Sequence, residues 1–187
     1  MTDHNHYGGD PESLLSVSYP NAQLSDLVLT IENRRRLWNV VMEQRQWDKI
    51  TFHGLQPVRR LLFTGPPGTG KTSTAQALAG ELGVPLYTVR LDLLTTHPKD
   101  EGEAEFRQVL DTLRQTYGVF VFDGVAEFTE ENRWILVMLQ QFLMQDTSKS
   151  VIIVASNRPR LLDGVIFEQC DRIVNFGLPT SDEARAI

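Results

Sequence analysis

A glycine-rich stretch at residues 65–72 constrains this chain more than any other feature. It reads Gly-Pro-Pro-Gly-Thr-Gly-Lys-Thr and fills every required position of the pattern G-x-x-x-x-G-K-[ST]. Residues 60–64 before it are typical of a buried strand and a helical pattern at 71–82 follows it, so a strand, a loop and a helix are predicted in succession. Because the N–H groups of such a loop and the positive end of the helix favour anions, the stretch predicts a nucleoside triphosphate site.

The residues of this loop have distinct predicted roles. Lys71 is expected to contact the β- and γ-phosphates, and Thr72 is expected to supply a hydroxyl to the Mg²⁺ ion that bridges them. Thr69 is interpreted as filling the loop rather than acting in catalysis. The alternative is a glycine-rich turn that matches the pattern by chance. The predicted nucleotide-binding residues are Gly65, Pro66, Pro67, Gly68, Thr69, Gly70, Lys71, Thr72 and Ser73.

Composition narrows the function classes. A chain of 187 residues that is 41% hydrophobic suits one α/β domain. The formal net charge of −6 argues against a nucleic-acid-binding surface. The arginines at 34–36 are interpreted as a solvated helix face, with a local contact site as the alternative. Cys170 is the single cysteine and no signal region or long apolar span is present, so a cytoplasmic protein without membrane contact is expected.

Residue patterns divide the chain into three parts. Residues 1–23 are polar and lack periodicity, so a flexible arm is predicted there. From residue 24 to 179, helical and strand patterns alternate, which predicts an α/β domain with a parallel sheet covered by helices on both faces. The predicted strands are 60–64, 86–91, 119–122, 151–155 and 172–176, and the predicted helices are 24–49, 71–82, 103–117 and 130–145.

Asp123 directly follows the apolar strand at 119–122 and is predicted to hold the metal. The carboxyl ends of strands in an open parallel sheet form the ligand crevice, and a carboxylate there is the Walker B signature. Asp123 and Thr72 are therefore expected to hold Mg²⁺, partly through water. A simple cap at the end of the strand is the alternative.

This series of motifs resembles the AAA+ ATPase family from about residue 24 to the end of the chain. Other matching segments are 53–57, 154–159, 161–163, 171–173 and 177–179. The resemblance implies a P-loop NTPase fold with a five-stranded parallel sheet of order 5-1-4-3-2, ATP and Mg²⁺ as cofactors, and oligomeric rings that act on a macromolecular partner. Asn157 matches the residue that positions the attacking water, with a turn-forming asparagine as the alternative.

Two departures from the family pattern fall on residues that hydrolysis needs. The family has a glutamate directly after the Walker B aspartate, whereas this chain has Gly124, which cannot act as a base. Glu127 is the nearest carboxylate and could act if the intervening segment folds back toward the nucleotide. Glu168 and Gln169 occupy the positions of the family's arginine fingers. Arg172 or Arg158 could substitute, but both are interpreted as ordinary surface arginines.

A third departure concerns the loop that grips substrate in many members of the family. Asp100 or Glu101 stands where an aromatic residue would grip an extended polypeptide, so threading by that grip is not expected. Residues 180–183 read as a capping box, and 180–187 are interpreted as the truncated start of a lid helix, with the helical lid missing.

Matches and departures together predict a module that binds ATP and Mg²⁺ and hydrolyses ATP slowly, or with residues from another subunit. The alternatives are a non-hydrolysing, nucleotide-gated scaffold or inactive ring subunit, and a phosphotransferase with a similar loop. Expected partners are ATP or ADP, a subunit of the same or a different kind, and a protein client. Nucleic acid is not an expected partner.

Overall fold

A six-stranded sheet forms the centre of the molecule. The computed structural model describes residues 13–124, 130–158 and 164–177. Five of its strands are parallel to one another, and the sixth is antiparallel and lies at one edge. In chain order they are β1 (Leu15–Ser18), β2 (Arg60–Thr64), β3 (Leu86–Arg90), β4 (Val119–Asp123), β5 (Val151–Ser156) and β6 (Arg172–Asn175).

The order of strands across the sheet is β1-β3-β4-β5-β2-β6. Within it, the five parallel strands keep the predicted order of 5-1-4-3-2, and the α/β class is confirmed. The prediction of five strands is wrong by one, because β1 joins the sheet beside β3. This order places β5 between β4 and β2, so the ends of these three strands are neighbours.

Strand β1 corrects the prediction of a flexible arm over residues 1–23 at residues 15–18, which form part of the sheet. It pairs antiparallel with β3 from Leu15 opposite Val89 to Ser18 opposite Leu86. Leu14, just before it, is buried, and its carbonyl accepts a hydrogen bond of 2.9 Å from the Arg90 N–H. This strand is stabilised by pairing with residues about 70 positions away and by burial against them. The sequence of the four strand residues does not reveal these distant contacts. Residues 1–12 lie outside the described part of the chain.

Seven α-helices surround the sheet in the described residues. They are α1 (Ile31–Arg45), α2 (Trp47–Phe52), α3 (Lys71–Leu82), α4 (Leu91–Leu94), α5 (Lys99–Arg114), α6 (Arg133–Gln145) and α7 (Gly164–Gln169), with 3-10 turns at Leu24–Asp26 and Glu130–Asn132. The single helix predicted over 24–49 is wrong in extent. Thr30 caps α1 by accepting a hydrogen bond from the Asn33 N–H at 3.1 Å, so the helix begins only at residue 31.

Helices cover both faces of the sheet, as the apolar strands predict. Along β4, Val119 and Val121 face a core shared with α1 and α3, while Phe120 and Phe122 face a core shared with α5 and α6. Every residue of β4 before Asp123 is buried, because a parallel sheet sandwiched by helices has no solvent-facing side. Asp123 is half-buried at the point where the strand leaves this core.

Two carboxylates tie the amino ends of the strands, opposite the predicted ligand edge. Asp146 forms a buried ion pair with Arg59, whose Nη2 also donates to the Asp146 carbonyl at 2.6 Å. Asp171 Oδ2 accepts from the N–H groups of Arg59 and Arg60 at 3.0 and 2.9 Å. The segment 171–173 of the family resemblance therefore contains a residue that joins β6 to β2, far from the phosphate loop.

Among the described helices, none is long and apolar enough to cross a membrane.

Candidate nucleotide site

The loop from β2 to α3 is shaped by glycines in conformations that other residues avoid. Gly65, Gly68 and Gly70 have φ values of +146°, +78° and +93°. A Cβ on Gly65 would lie 2.1 Å from the carbonyl oxygen of Phe176, whereas one on Gly68 or Gly70 would meet no atom within 4 Å. Gly65 is therefore required by a close backbone approach, and the other two by backbone conformation. The loop leaves an open cradle in front of α3.

Neighbouring contacts hold this loop from both sides. The Gly65 N–H donates to the Ser156 carbonyl of β5 at 3.2 Å, and the Phe176 N–H donates to the Thr64 carbonyl of β2 at 2.7 Å. Within the loop, Thr69 Oγ1 donates to the Pro66 carbonyl at 2.8 Å, which agrees with its interpretation as a loop-filling residue. The loop is thus fixed by β5, by the end of β6 and by its own side chain.

Lys71, the first residue of α3, lies against this loop and is 8% exposed. Its Nζ donates to the carbonyls of Gly65 and Pro66 at 2.7 and 2.8 Å. Burial lowers the pKa of Lys71 below its ordinary value, and the Asp123 carboxylate opposes this change by favouring the charged form. The predicted phosphate-binding and metal-binding residues are therefore close enough to influence one another electrostatically.

The amino end of α3 presents polar groups next to the cradle. Gly70 caps this helix in the left-handed conformation, and the side chains of Thr72 and Ser73 are exposed there. The first N–H groups of a helix have no partner within the helix, and they favour anionic ligands together with the helix dipole. Thr72 is thus available as a metal ligand and Ser73 as a phosphate contact, and both roles stay predictions.

A cavity of about 270 Å³ adjoins the loop, near the lower end of the size range of small-molecule sites. Its lining combines residues of the loop and of α3 with a segment that is distant in sequence, at 27–30 and Asn33. Phe176 completes it at the end of β6. The cavity continues the phosphate cradle with an apolar wall, as a nucleoside attached to phosphates requires. The residues present therefore fit ATP.

Sequence reasoning missed the segment 27–30 and Asn33 as parts of the site. It predicted one continuous helix there, and the extended residues between the 3-10 turn and α1 carry no motif. The Thr30 cap is the local signal that could have placed the start of the helix at residue 31 instead of residue 24.

Asp123 and Asn157 end neighbouring strands on the same edge as the loop. Asp123 is the last residue of β4, and Asn157 directly follows β5, where it is exposed. Since β5 lies between β4 and β2, Asn157 stands between the predicted metal carboxylate and the phosphate loop. The structure brings together Lys71, Asp123 and Asn157 at one edge of the sheet, as open parallel sheets do with ligand-binding residues.

Gly124 has a conformation that suits glycine and opposes other residues. Its φ is +83°, and its N–H donates to Asp123 Oδ1 at 2.8 Å. A Cβ at this position would lie 3.3 Å from the backbone N of Asp92, the second residue of α4. The position where the family resemblance places a glutamate is therefore formed around a residue without a side chain. Sequence reasoning did not single out Asp92, which only the fold brings to Gly124.

The other predicted hydrolysis residues are partly placed. Glu127 lies outside the described residues, as does the proposed lid segment 180–187. Glu168 is exposed and Gln169 half-buried at the end of α7, remote in sequence from the loop. Arg172 lies 3.9 Å from Glu43 and donates to the Arg36 carbonyl at 3.2 Å, which agrees with its interpretation as an ordinary ion-paired residue.

Comparison with known protein families identifies the nucleotide-binding module. The family model of the ATPase family associated with various cellular activities (AAA) matches residues 61–178. The matched region begins inside β2, contains the phosphate loop, Asp123 and Asn157, and ends just beyond β6. It covers more than half of the chain.

Individual relatives carry the same family name or related ones. An uncharacterized AAA family ATPase, y4kL, of Sinorhizobium fredii is 33% identical over 169 residues, which are 86% of this chain and 51% of the relative. The ATP-dependent zinc metalloprotease FtsH 3 of Sphaerobacter thermophilus is 29% identical over 195 residues, 96% of this chain and 40% of the relative. The ribosome biogenesis ATPase RIX7 of Saccharomyces cerevisiae is 36% identical over 129 residues, 60% of this chain and 15% of the relative.

This chain spans about half the length of the first of these relatives and less of the other two. The family model nonetheless matches this chain from within β2, through the phosphate loop, to just beyond β6. The chain therefore belongs to the AAA ATPase family.

Proposed function

We propose that this protein binds ATP with Mg²⁺ and couples its nucleotide state to the remodelling of a macromolecular partner, with slow hydrolysis. One observation carries the proposal. The glycine cradle, Lys71 and Asp123 lie together at one edge of the sheet, while the residue after Asp123 is Gly124 in a conformation that opposes a side chain. The cradle, Lys71 and Asp123 support ATP binding, and Gly124 supports impaired ATP turnover.

In the proposed complex, the loop N–H groups and the amino end of α3 hold the phosphates. Lys71 Nζ exchanges the carbonyls of Gly65 and Pro66 for oxygens of the β- and γ-phosphates, so its charge is satisfied by phosphate rather than by the loop. Thr72 and Asp123 would hold the Mg²⁺ ion, which neutralises charge on the phosphates. The base and sugar occupy the cavity bounded by 27–30, Asn33 and Phe176.

Slow hydrolysis follows from what surrounds the terminal phosphate. Asn157 is positioned to orient a water molecule, but an amide does not accept a proton. A carboxylate that acts as a base contributes about 10²–10⁴-fold to rate, and Gly124 supplies none. Glu168, exposed where the family carries an arginine finger, would oppose rather than stabilise developing negative charge. Glu127 stays a candidate base within this proposal.

The partner is proposed at the level of class. Members of the AAA family bind nucleotide and typically oligomerise, so a homo- or hetero-oligomer and a protein client are part of the proposal. The relatives' names describe a zinc metalloprotease and a ribosome biogenesis ATPase, which are different tasks, and neither name is transferred to this chain. Residues 24–179 are proposed as the nucleotide-binding domain, joined by β1. A cytoplasmic location is proposed from the single cysteine.

A non-hydrolysing, nucleotide-gated scaffold is the second candidate function. Gly124 and Glu168 favour it, because both changes remove groups needed for turnover and leave the groups needed for binding intact. The two candidates differ only in whether bound ATP is converted to ADP.

Measurement of ATP binding and ATP turnover on the same sample tests the proposal. The variants Lys71→Ala and Lys49→Ala form a matched pair, since Lys49 is an exposed lysine of α2. We expect calorimetry with Mg²⁺ to detect ATP binding that Lys71→Ala weakens at least about tenfold, as loss of a charged hydrogen-bond partner requires, and that Lys49→Ala leaves unchanged.

Equal affinity in the wild type and Lys71→Ala would contradict the proposed phosphate site. Binding with slow phosphate release would support the ATPase, and binding without any release would support the scaffold.

A further inference from the structure

The region beside Gly124 is occupied by Asp92. A Cβ on Gly124 would lie 3.3 Å from the Asp92 backbone N, 3.5 Å from Asp92 Cβ and 3.8 Å from Asp92 Cα. A side chain at position 124 and the side chain of Asp92 thus begin in ordinary contact with each other. A carboxylate at residue 92 can therefore reach the region that a carboxylate at residue 124 would reach.

Strand register places Asp92 next to the predicted metal carboxylate. Arg90, the last residue of β3, is the register partner of Asp123 in the parallel pairing of β3 with β4. Asp92 follows two residues later at the start of α4, and its Oδ2 accepts a hydrogen bond from Arg90 Nη2 at 3.0 Å. Asp92 consequently lies at the same edge of the sheet as Asp123, Asn157 and the phosphate loop.

The Asp92 carboxylate is accessible, and its exposed ion pair with Arg90 restrains it only weakly. Its side chain is 56% exposed and that of Arg90 is 41% exposed. Exposed ion pairs contribute little to stability because water and salt compete for both partners, so rotation of Asp92 toward the nucleotide has a small cost. Arg90 holds the carboxylate near Asp123 without burying it.

We propose that Asp92 is the catalytic carboxylate that supplies the slow turnover of this site in the absence of a side chain at position 124. This inference rests on the proposed function. The oxygen of the attacking water forms a bond to the γ-phosphorus while the bond from that phosphorus to the bridging oxygen breaks. The electron pair of the broken bond stays on ADP, and the water proton passes to Asp92 and then to solvent. Arg90 acts through Asp92 as a positioning residue.

The variant Asp92→Asn tests this role because it keeps the shape of the side chain and removes its basicity. Asp111→Asn is a matched control. Asp111 pairs with Arg114 at 2.8 Å with exposures of 41% for the arginine and 54% for the aspartate, which closely resembles the pair of Arg90 and Asp92. We expect Asp92→Asn to lower kcat by about a hundredfold, the lower limit for loss of a base, and Asp111→Asn to leave it within twofold.

A binding measurement supplies a second readout that does not depend on turnover. A carboxylate facing the terminal phosphate repels it, so its removal should favour triphosphate over diphosphate. We expect the ratio of the Kd for ADP to the Kd for the β,γ-imido analogue of ATP to rise about threefold in Asp92→Asn, as a screened repulsion across several ångströms predicts. In Asp111→Asn the ratio should not change. Asp92→Glu should retain more turnover than Asp92→Asn.

Three results would overturn the inference. The first is a kcat and a Kd ratio in Asp92→Asn equal to those of Asp111→Asn. The second is loss of turnover in Glu127→Gln while turnover in Asp92→Asn equals that of the wild type. The third is a wild type without turnover. If ATP binding that depends on Lys71 is retained in any of these cases, the proposed nucleotide site stands and only the role of Asp92 fails. If the wild type binds no ATP, the proposed function itself fails.

Discussion

The carboxyl ends of β2 and β4 both lead into a glycine with positive φ, but the two glycines are required for different reasons. At Gly65 (φ +146°) an added Cβ would overlap the Phe176 carbonyl oxygen, at 2.1 Å. At Gly124 (φ +83°) the nearest atom would be the Asp92 backbone N at 3.3 Å, a tight contact that a small shift would relieve, so backbone conformation is the main obstacle to a side chain. Gly65 is thus required mainly by backbone packing, whereas Gly124 is required mainly by its backbone conformation.

Gly65→Ala should have the largest effect on stability. Since backbone rather than a flexible side chain opposes the added methyl group, β6 or the loop must move, and the free energy of unfolding should fall by about 3 kcal/mol or more. Urea denaturation measures this change. Gly68→Ala is the control, since its Cβ would meet nothing within 4 Å and only the conformational cost of about 1–2 kcal/mol applies. Equal losses in the two variants would mean that the end of β6 yields easily and would remove the contrast.

Gly124→Glu should have an intermediate effect. The left-handed conformation costs a non-glycine residue about 1–2 kcal/mol. The Cβ of the new side chain would also lie in contact with Asp92. We expect this loss in free energy of unfolding without an increase in kcat, measured by urea denaturation and phosphate release, with Gly124→Ala separating strain from charge. A rise in kcat of tenfold at unchanged stability would show that the backbone at 124 relaxes, and the distinction between the two glycines would then be wrong.

Cys170 should report on the amino end of β6, at the edge of the sheet opposite the phosphate loop, and its modification should have the smallest effect. Burial, followed by the neighbouring Asp171 carboxylate, raises the pKa of the Cys170 thiol from 9.0 to about 12, although Arg60 opposes the shift. At pH 8 the thiolate fraction is then lower than in the unfolded chain, by up to about a thousandfold, and alkylation requires the thiolate. We expect iodoacetamide to react at least tenfold more slowly with the folded protein than in urea. Equal rates would indicate that the connection from α7 to β6 opens freely.

The phosphate loop and the five parallel strands were predictable because each depends on local sequence. Residues 60–64 and 71–82 form the predicted strand and helix, since the apolar residues 61–63 and the glycines that flank the helix are visible in the local sequence. The predicted order of those strands is also confirmed, but it came from family resemblance and not from the residues alone. Asp123 was found because it ends an apolar run.

Features that depend on distant contacts were not predictable. Strand β1 exists through pairing with β3, and the cavity segment 27–30 acquires its place only when it meets the loop. Nothing in the local sequence distinguishes Asp92 from other aspartates. Only the position that a Cβ on Gly124 would take shows that the two residues are neighbours. The extent of the helix predicted at 103–117 was also wrong, since α5 begins four residues earlier, directly after Pro98, and ends at Arg114.

The side chain of Asn33 in α1 contributes both to the cavity beside the phosphate loop and to the edge of the sheet. Asn33 lines the cavity that is proposed to hold the nucleoside, and its Nδ2 donates at 2.9 Å to the carbonyl of Asn175 in the edge strand β6. Arg36, one turn later, donates to the Ile173 carbonyl of the same strand at 2.7 Å. A substitution at residue 33 that altered base preference would also loosen the border of the sheet. Selection for a different nucleotide is therefore constrained at this position by the need to keep the sheet edge covered.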